Sequence, residues 1–128
     1  APSDEVLTAL AIMIYTDMQK IGDFVDQGLL QDNYEWLMSR TNDRGGFDLS
    51  NGESDELSNP PDEVQITYIL WALVRAGLTE GIDYQIGNMN NIADDLITLD
   101  KPDPYFLALL CDTMYMLGNE TVGKEYGQ

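Results

Sequence analysis

The chain contains no histidine, so the imidazole that serves as general base, zinc ligand or proton relay in most hydrolytic sites is missing from its chemistry. Carboxylates, hydroxyls and one thiol remain. Asp94-Asp95 and Asp55-Glu56 are adjacent acid pairs. Neighbouring residues on a helix diverge by about 100°, and neither pair sits in an apolar setting that would lift one carboxyl into the range of a general acid. Both read as solvated. The thiol, Cys111, follows Leu109-Leu110, where a small buried hydrophobe is expected rather than a nucleophile. One stretch, Asp48-Leu49-Ser50-Asn51-Gly52-Glu53, alternates oxygen-bearing side chains ahead of a glycine as calcium loops do. Its glycine comes one position early, and the twelfth position, where an EF-hand requires a bidentate acid, falls on Asn59. No catalytic residue, metal or cofactor is expected, and the chain does not read as an enzyme.

Composition narrows the partners. With 23 Asp and Glu against 6 Lys and Arg, the formal net charge is −17, spread along the chain. Nucleic acid and anionic membrane surfaces both require clustered cations, so neither is expected as a partner. Solubility or salt adaptation is the simplest use of such acidity. At 128 residues the chain forms one domain at most. A lone cysteine closes no internal disulfide, and no apolar run approaches the roughly 20 residues of a membrane span. The chain opens on Ala1-Pro2 and closes on Gly127-Gln128, which reads as a piece of a longer protein with room for a signal peptide upstream.

Five helices would position these groups. Ser3 ahead of Asp4 and Glu5 is an N-cap pattern, and the apolar set from Val6 to Ile21 ends at Gly22. Asp26 caps a second helix whose Leu30, Tyr34, Leu37 and Met38 share one face. Residues 41–59 are rich in Asn, Asp, Gly, Ser and Glu, a long loop of the functional or mobile kind. Pro60-Pro61 opens a third, almost wholly apolar helix that closes at Gly77. A fourth carries Ile82, Ile86, Met89, Ala93 and Leu96 inward and Asp83, Asn90, Asn91, Asp94 and Asp95 outward. The fifth, apolar nearly all round, closes at Gly118-Asn119. Predicted bounds are 3–21, 26–40, 61–76, 81–98 and 103–117. Helices one, three and five are apolar all round and two and four are amphipathic, so the former should form an inner layer and the latter an outer one. That is a stack of α-hairpins, compatible with a closed toroid or an open solenoid.

Several segments, in order, carry a resemblance. Asp4-Glu5-Val6-Leu7-Thr8-Ala9, then Tyr34-Glu35-Trp36-Leu37-Met38-Ser39-Arg40 through Gly45-Gly46-Phe47, then Ile66-Thr67-Tyr68-Ile69-Leu70-Trp71-Ala72-Leu73, then Asp103-Pro104-Tyr105-Phe106-Leu107-Ala108-Leu109 resemble the thioester-containing domain of the α-2-macroglobulin and complement-like family, in its prokaryotic type. The resemblance runs roughly from Asp4 to Asn119. It implies an all-α fold, part of an α/α toroid of about six hairpins, of which this chain would supply about half.

The resemblance also implies function. Such domains hold a Cys-Gly-Glu-Gln-type thioester that acylates a trapped protease or target surface, in proteins that act as protease inhibitors or complement-like opsonins. That segment lies before the region matched here, and Cys111, followed by Asp112, is no substitute for it. The chain is therefore expected to be a fragment without covalent chemistry of its own, secreted or periplasmic through its parent. Its partners would be the remainder of the parent chain and, through it, proteases or target proteins. A homo-oligomer of the isolated piece is also expected, through the apolar face that missing hairpins would leave. Complement-type members place a histidine where Ser54 or Asp55 falls here, so the loop residues Asp48, Glu53, Ser54, Asp55 and Glu56 form the candidate functional surface, one without imidazole. Two other readings remain open, a fragment of an α/α-toroid enzyme such as a terpenoid cyclase or prenyltransferase, and a helical-repeat interaction scaffold.

Overall fold

A computed structural model describes residues 3–50 and 61–126, with side chains described as far as Asn119. Its regular structure is all helical: α1 (Asp4–Lys20), α2 (Gln27–Ser39), α3 (Asp62–Arg75), α4 (Asp83–Thr98) and α5 (Pro104–Tyr126). Local chemistry sets most boundaries. The Ser3 hydroxyl accepts the Val6 N–H at 3.2 Å, and Asp26 Oδ1 accepts those of Gly28 and Leu29 at 2.9 and 3.2 Å, which supplies partners for donors the helix itself leaves open. Gly22 and Gly77 turn left-handed, with φ of +88° and +80°, and so close α1 and α3.

The fifth helix departs from expectation. It continues through Gly118-Asn119 to Tyr126. Glycine ends a helix when it swings to positive φ, and Gly118 does not. In helical conformation it costs only about 1 kcal/mol against alanine.

Helix α3 is the centre of the packing. It lies between α1 and α5, while α2 packs on α1 and α4 packs on α3 and α5. Polar links fix the directions. Ser3, at the start of α1, donates its backbone N–H to Gln65 near the start of α3, and Asp17 near the end of α1 pairs with Arg75 at the end of α3. The two helices therefore run parallel. Trp71, late in α3, donates to Asp112 in the body of α5, while Val64 and Tyr105, near the starts of their helices, line one cavity, so α5 runs the same way. Arg40, just past α2, reaches back to Glu5 at the start of α1, which makes α2 antiparallel to α1. The fold is thus a row of three parallel helices joined through antiparallel ones.

The core gathers around α3, whose Ile69, Leu70, Ala72 and Leu73 have no exposed surface, with Ile12 from α1, Leu37 from α2, Met89 from α4 and Phe106 from α5. Burial of apolar area on this scale drives the fold. Expectation fails for the flanks. α1 and α5 are not covered all round: Leu7, Ile14, Tyr105 and Tyr115 are 49%, 45%, 60% and 68% exposed. Each flanking helix has α3 on one side and nothing equivalent on the other among the described residues, so part of its apolar surface stays in water. Cys111 is exposed for the same reason. Phe106, Leu110 and Thr113 turn α5's buried face inward, and position 111 points about 100° away from 110.

Candidate functional site

The loop that follows α2 contains more order than its composition predicts. Residues 41–48 form a tight hairpin rather than an open connection. Thr41 and Phe47 make an antiparallel bridge, the Asn42 N–H donates to the Gly46 carbonyl at 3.0 Å, and the Asp48 N–H donates to that of Arg40 at 2.7 Å. Inside the turn, Asn42 Oδ1 accepts the N–H groups of Arg44 and Gly46 at 3.1 and 3.0 Å, the side-chain mimicry of a backbone turn that asparagine performs well.

Gly45 is required by conformation and close approach, and Gly46 sits tightly against the tip of one side chain. Gly45 has φ +80°, and a Cβ there would come within 2.7 Å of Asn88 Cβ on α4; a Cβ on Gly46 would meet Ile66 Cδ1 of α3 at 2.9 Å. The approach lets Asn88 Nδ2 donate to the Gly45 carbonyl at 2.9 Å and the Tyr84 hydroxyl donate to that of Asp43 at 2.7 Å. Phe47 drops into the core with only 3% of its surface exposed. The hairpin is therefore clamped onto α3 and α4.

At its base lies an ion pair between a buried carboxylate and a half-buried guanidinium. Glu5, on the first turn of α1, has no exposed surface. Its Oε2 accepts Arg40 Nε at 3.3 Å and the Ser50 hydroxyl at 3.1 Å, and its Oε1 accepts the Ser50 N–H. Arg40 also donates to the Asp48 carbonyl at 3.1 Å. A buried carboxylate survives only when its oxygens are satisfied in this way, so Glu5 ties both ends of the hairpin to the start of α1.

Of the predicted loop residues, Asp48 is the described one. Its Oδ1 accepts Asn42 Nδ2 at 3.1 Å and the Arg44 guanidinium at 3.4 Å, so it braces the hairpin. Glu53, Ser54, Asp55 and Glu56 lie outside the described residues. In the calcium-like stretch, the oxygens of Asp48 and Ser50 already have protein partners, and no group of three or more potential metal ligands occurs among the described residues. Asp94 and Asp95 are both exposed, as solvated acids should be.

Sequence reading passed over the Glu5 cluster, although a signal was present: Glu5, Ala9 and Ile12 share a stripe spaced four and three residues apart, and all three are fully buried. It also passed over a groove. Where the first turns of α1, α3 and α5 meet, Leu7, Leu10, Val64, Tyr68 and Tyr105 line an open apolar hollow of about 520 Å³, with Asp103 at its edge. Asp103 caps α5, its Oδ1 accepting the N–H groups of Tyr105 and Phe106 at 3.0 and 3.3 Å. Further along the same row, Trp71 Nε1 donates to Asp112 at 2.7 Å, and the Arg75 guanidinium lies 5.7 Å from the Trp71 ring centroid.

No protein-family model, curated protein sequence or solved structure matches the chain. The site is thus described by its own geometry: a clamped hairpin, a half-buried ion pair that anchors it, and an apolar groove alongside.

Proposed function

We propose that the chain is a section of an α/α toroid of the thioester-domain kind, within an α-macroglobulin-like protein that traps proteases or binds targets covalently outside the cytoplasm. In this reading the section is scaffold. It holds the loop after the Gly-Gly-Phe turn in place and leaves acyl transfer to a thioester elsewhere in the parent. The observation that carries the reading is the row of parallel helices α1, α3 and α5, joined through antiparallel ones, with apolar side chains uncovered on both flanking helices. A row with open flanks is what a section of a ring presents. The clamp on Gly45-Gly46-Phe47 adds to this, because it gives the segment that carries the resemblance a structural role at one end of the row.

The test uses the full-length parent, activated by a protease in the presence of labelled methylamine and labelled glycerol. The expected result is a covalently labelled chain with a newly released thiol. Amine should be incorporated ahead of glycerol, since the loop offers the carboxylates of Asp48, Glu53, Asp55 and Glu56 and no imidazole. A chain that takes no label and releases no thiol overturns the proposal. The open groove favours a second reading, an interaction scaffold, which that negative result would leave standing.

A further inference from the structure

We infer that the groove between the first turns of α1, α3 and α5 is a docking site for a basic amphipathic peptide segment of a partner protein, which seats an aliphatic side chain against Leu7, Leu10 and Tyr68 and a lysine or arginine against Asp103. The inference stands on the groove alone and does not depend on the thioester reading.

Shape and composition set the apolar half of the ligand. A hollow of about 520 Å³ is within the range that holds a few side chains or a small ligand. Its walls are aliphatic and aromatic, and Leu7 and Tyr105 are 49% and 60% exposed, so water is displaced from them when an apolar group enters.

Charge sets the other half. Among the described residues one acid lines the groove, Asp103, and Asp4 lies one helical turn before Leu7 on α1, whereas Asp62 and Glu63 turn to the other face of α3, beside Asn88 and Met89. Lys101, two residues before Asp103, is the cation nearest to it in sequence. Asp103 is a built acceptor. Two backbone N–H groups hold its Oδ1, which fixes the carboxylate, and its Oδ2 has no hydrogen bond among the described residues. A second copy of this chain, with its net charge of −17, is repelled from such a rim, whereas a cationic segment is drawn to it. The same row of helices already receives a cation in this manner, since Arg75 lies over Trp71 and pairs with Asp17 at 3.6 Å.

The test is calorimetric titration of the chain with two short helical peptides. Both carry leucines at i, i+3, i+4 and i+7; one is flanked by lysines and the other by glutamates. The lysine peptide should bind with a Kd of about 10 μM at low salt and weaken about tenfold in 0.3 M NaCl, while the glutamate peptide should not bind. Leu7→Ser and Tyr105→Ser should each weaken binding about tenfold. Asp103→Asn keeps an N-cap and removes the charge, and should weaken binding about threefold to tenfold. Circular dichroism checks that each variant is folded. Equal binding of the two peptides, no heat with the lysine peptide, or unchanged affinity in Asp103→Asn overturns the inference. Self-association of the chain that Leu7→Ser abolishes would also overturn it, by giving the groove to a second copy.

Discussion

Two sides of the molecule built from similar residues meet different fates. On the closed side, α3, α4 and the hairpin of residues 41–48 interlock: Ile69, Leu70 and Leu73 have no exposed surface, and the hairpin's glycines fit against Asn88 and Ile66. On the open side, α5 is as rich in apolar residues as α3, yet Tyr105, Met114 and Tyr115 remain in water. Side-chain chemistry does not separate them. Position in the row does, because among the described residues α3 has α1, α4 and α5 around it and α5 has α3 and α4. An apolar helix is buried to the extent that neighbours surround it.

The comparison is tested most severely in α3. Leu73→Ala should cost about 4 kcal/mol of stability in urea unfolding, as a fully buried leucine leaves a cavity; a loss below about 1 kcal/mol would place α3 on the open side after all. Next comes the anchor of the hairpin. Arg40→Ala leaves the Glu5 carboxylate buried without its cation and should cost about 3 kcal/mol. Glu5→Gln, which keeps hydrogen-bonding capacity, should cost about half as much. If the order is reversed, the pair is not what holds the hairpin. Gly45→Ala should lose about 2 kcal/mol, since it combines a left-handed φ with a clash on Asn88. Gly77→Ala shares the positive φ but has nothing within 4 Å of the added Cβ, and should lose about 1 kcal/mol. Asn88→Gly should recover part of the first loss and none of the second. The smallest effects belong to the open side. Tyr115→Ala and Cys111→Ser should each change stability by less than about 0.5 kcal/mol, and Cys111 should react with a thiol reagent in the native protein without prior unfolding. A protected thiol would mean that α5 has a neighbour in solution.

Legibility differed by residue. The helix starts at Ser3 and Asp26 and the stops at Gly22 and Gly77 were readable, since capping and left-handed turns are local events. The stop expected at Gly118 was wrong because glycine permits a turn without compelling one. Cys111 was misplaced because an apolar neighbourhood in sequence, Leu109-Leu110, says nothing of which face a helix turns to a partner. Asp48 was named in the sequence as part of a calcium-like stretch and of a candidate functional loop; its contacts with Asn42 and Arg44 were not legible there, because they depend on the chain turning back on itself at Gly45-Gly46.

What the sequence determined by itself is the helical class, most helix limits, the exclusion of imidazole chemistry and the acidic character, all of which follow from residue type, spacing of three and four, and charge count. Tertiary structure alone decided that Glu5 and Arg40 meet across 35 positions, that Gly45 abuts Asn88, and that three helix starts enclose a groove. The reason is physical. Caps and periodicity involve residues a few positions apart, while a half-buried charge pair, a glycine contact and a cavity exist only once distant segments share a surface, and one sequence read along its length does not state which surfaces those are.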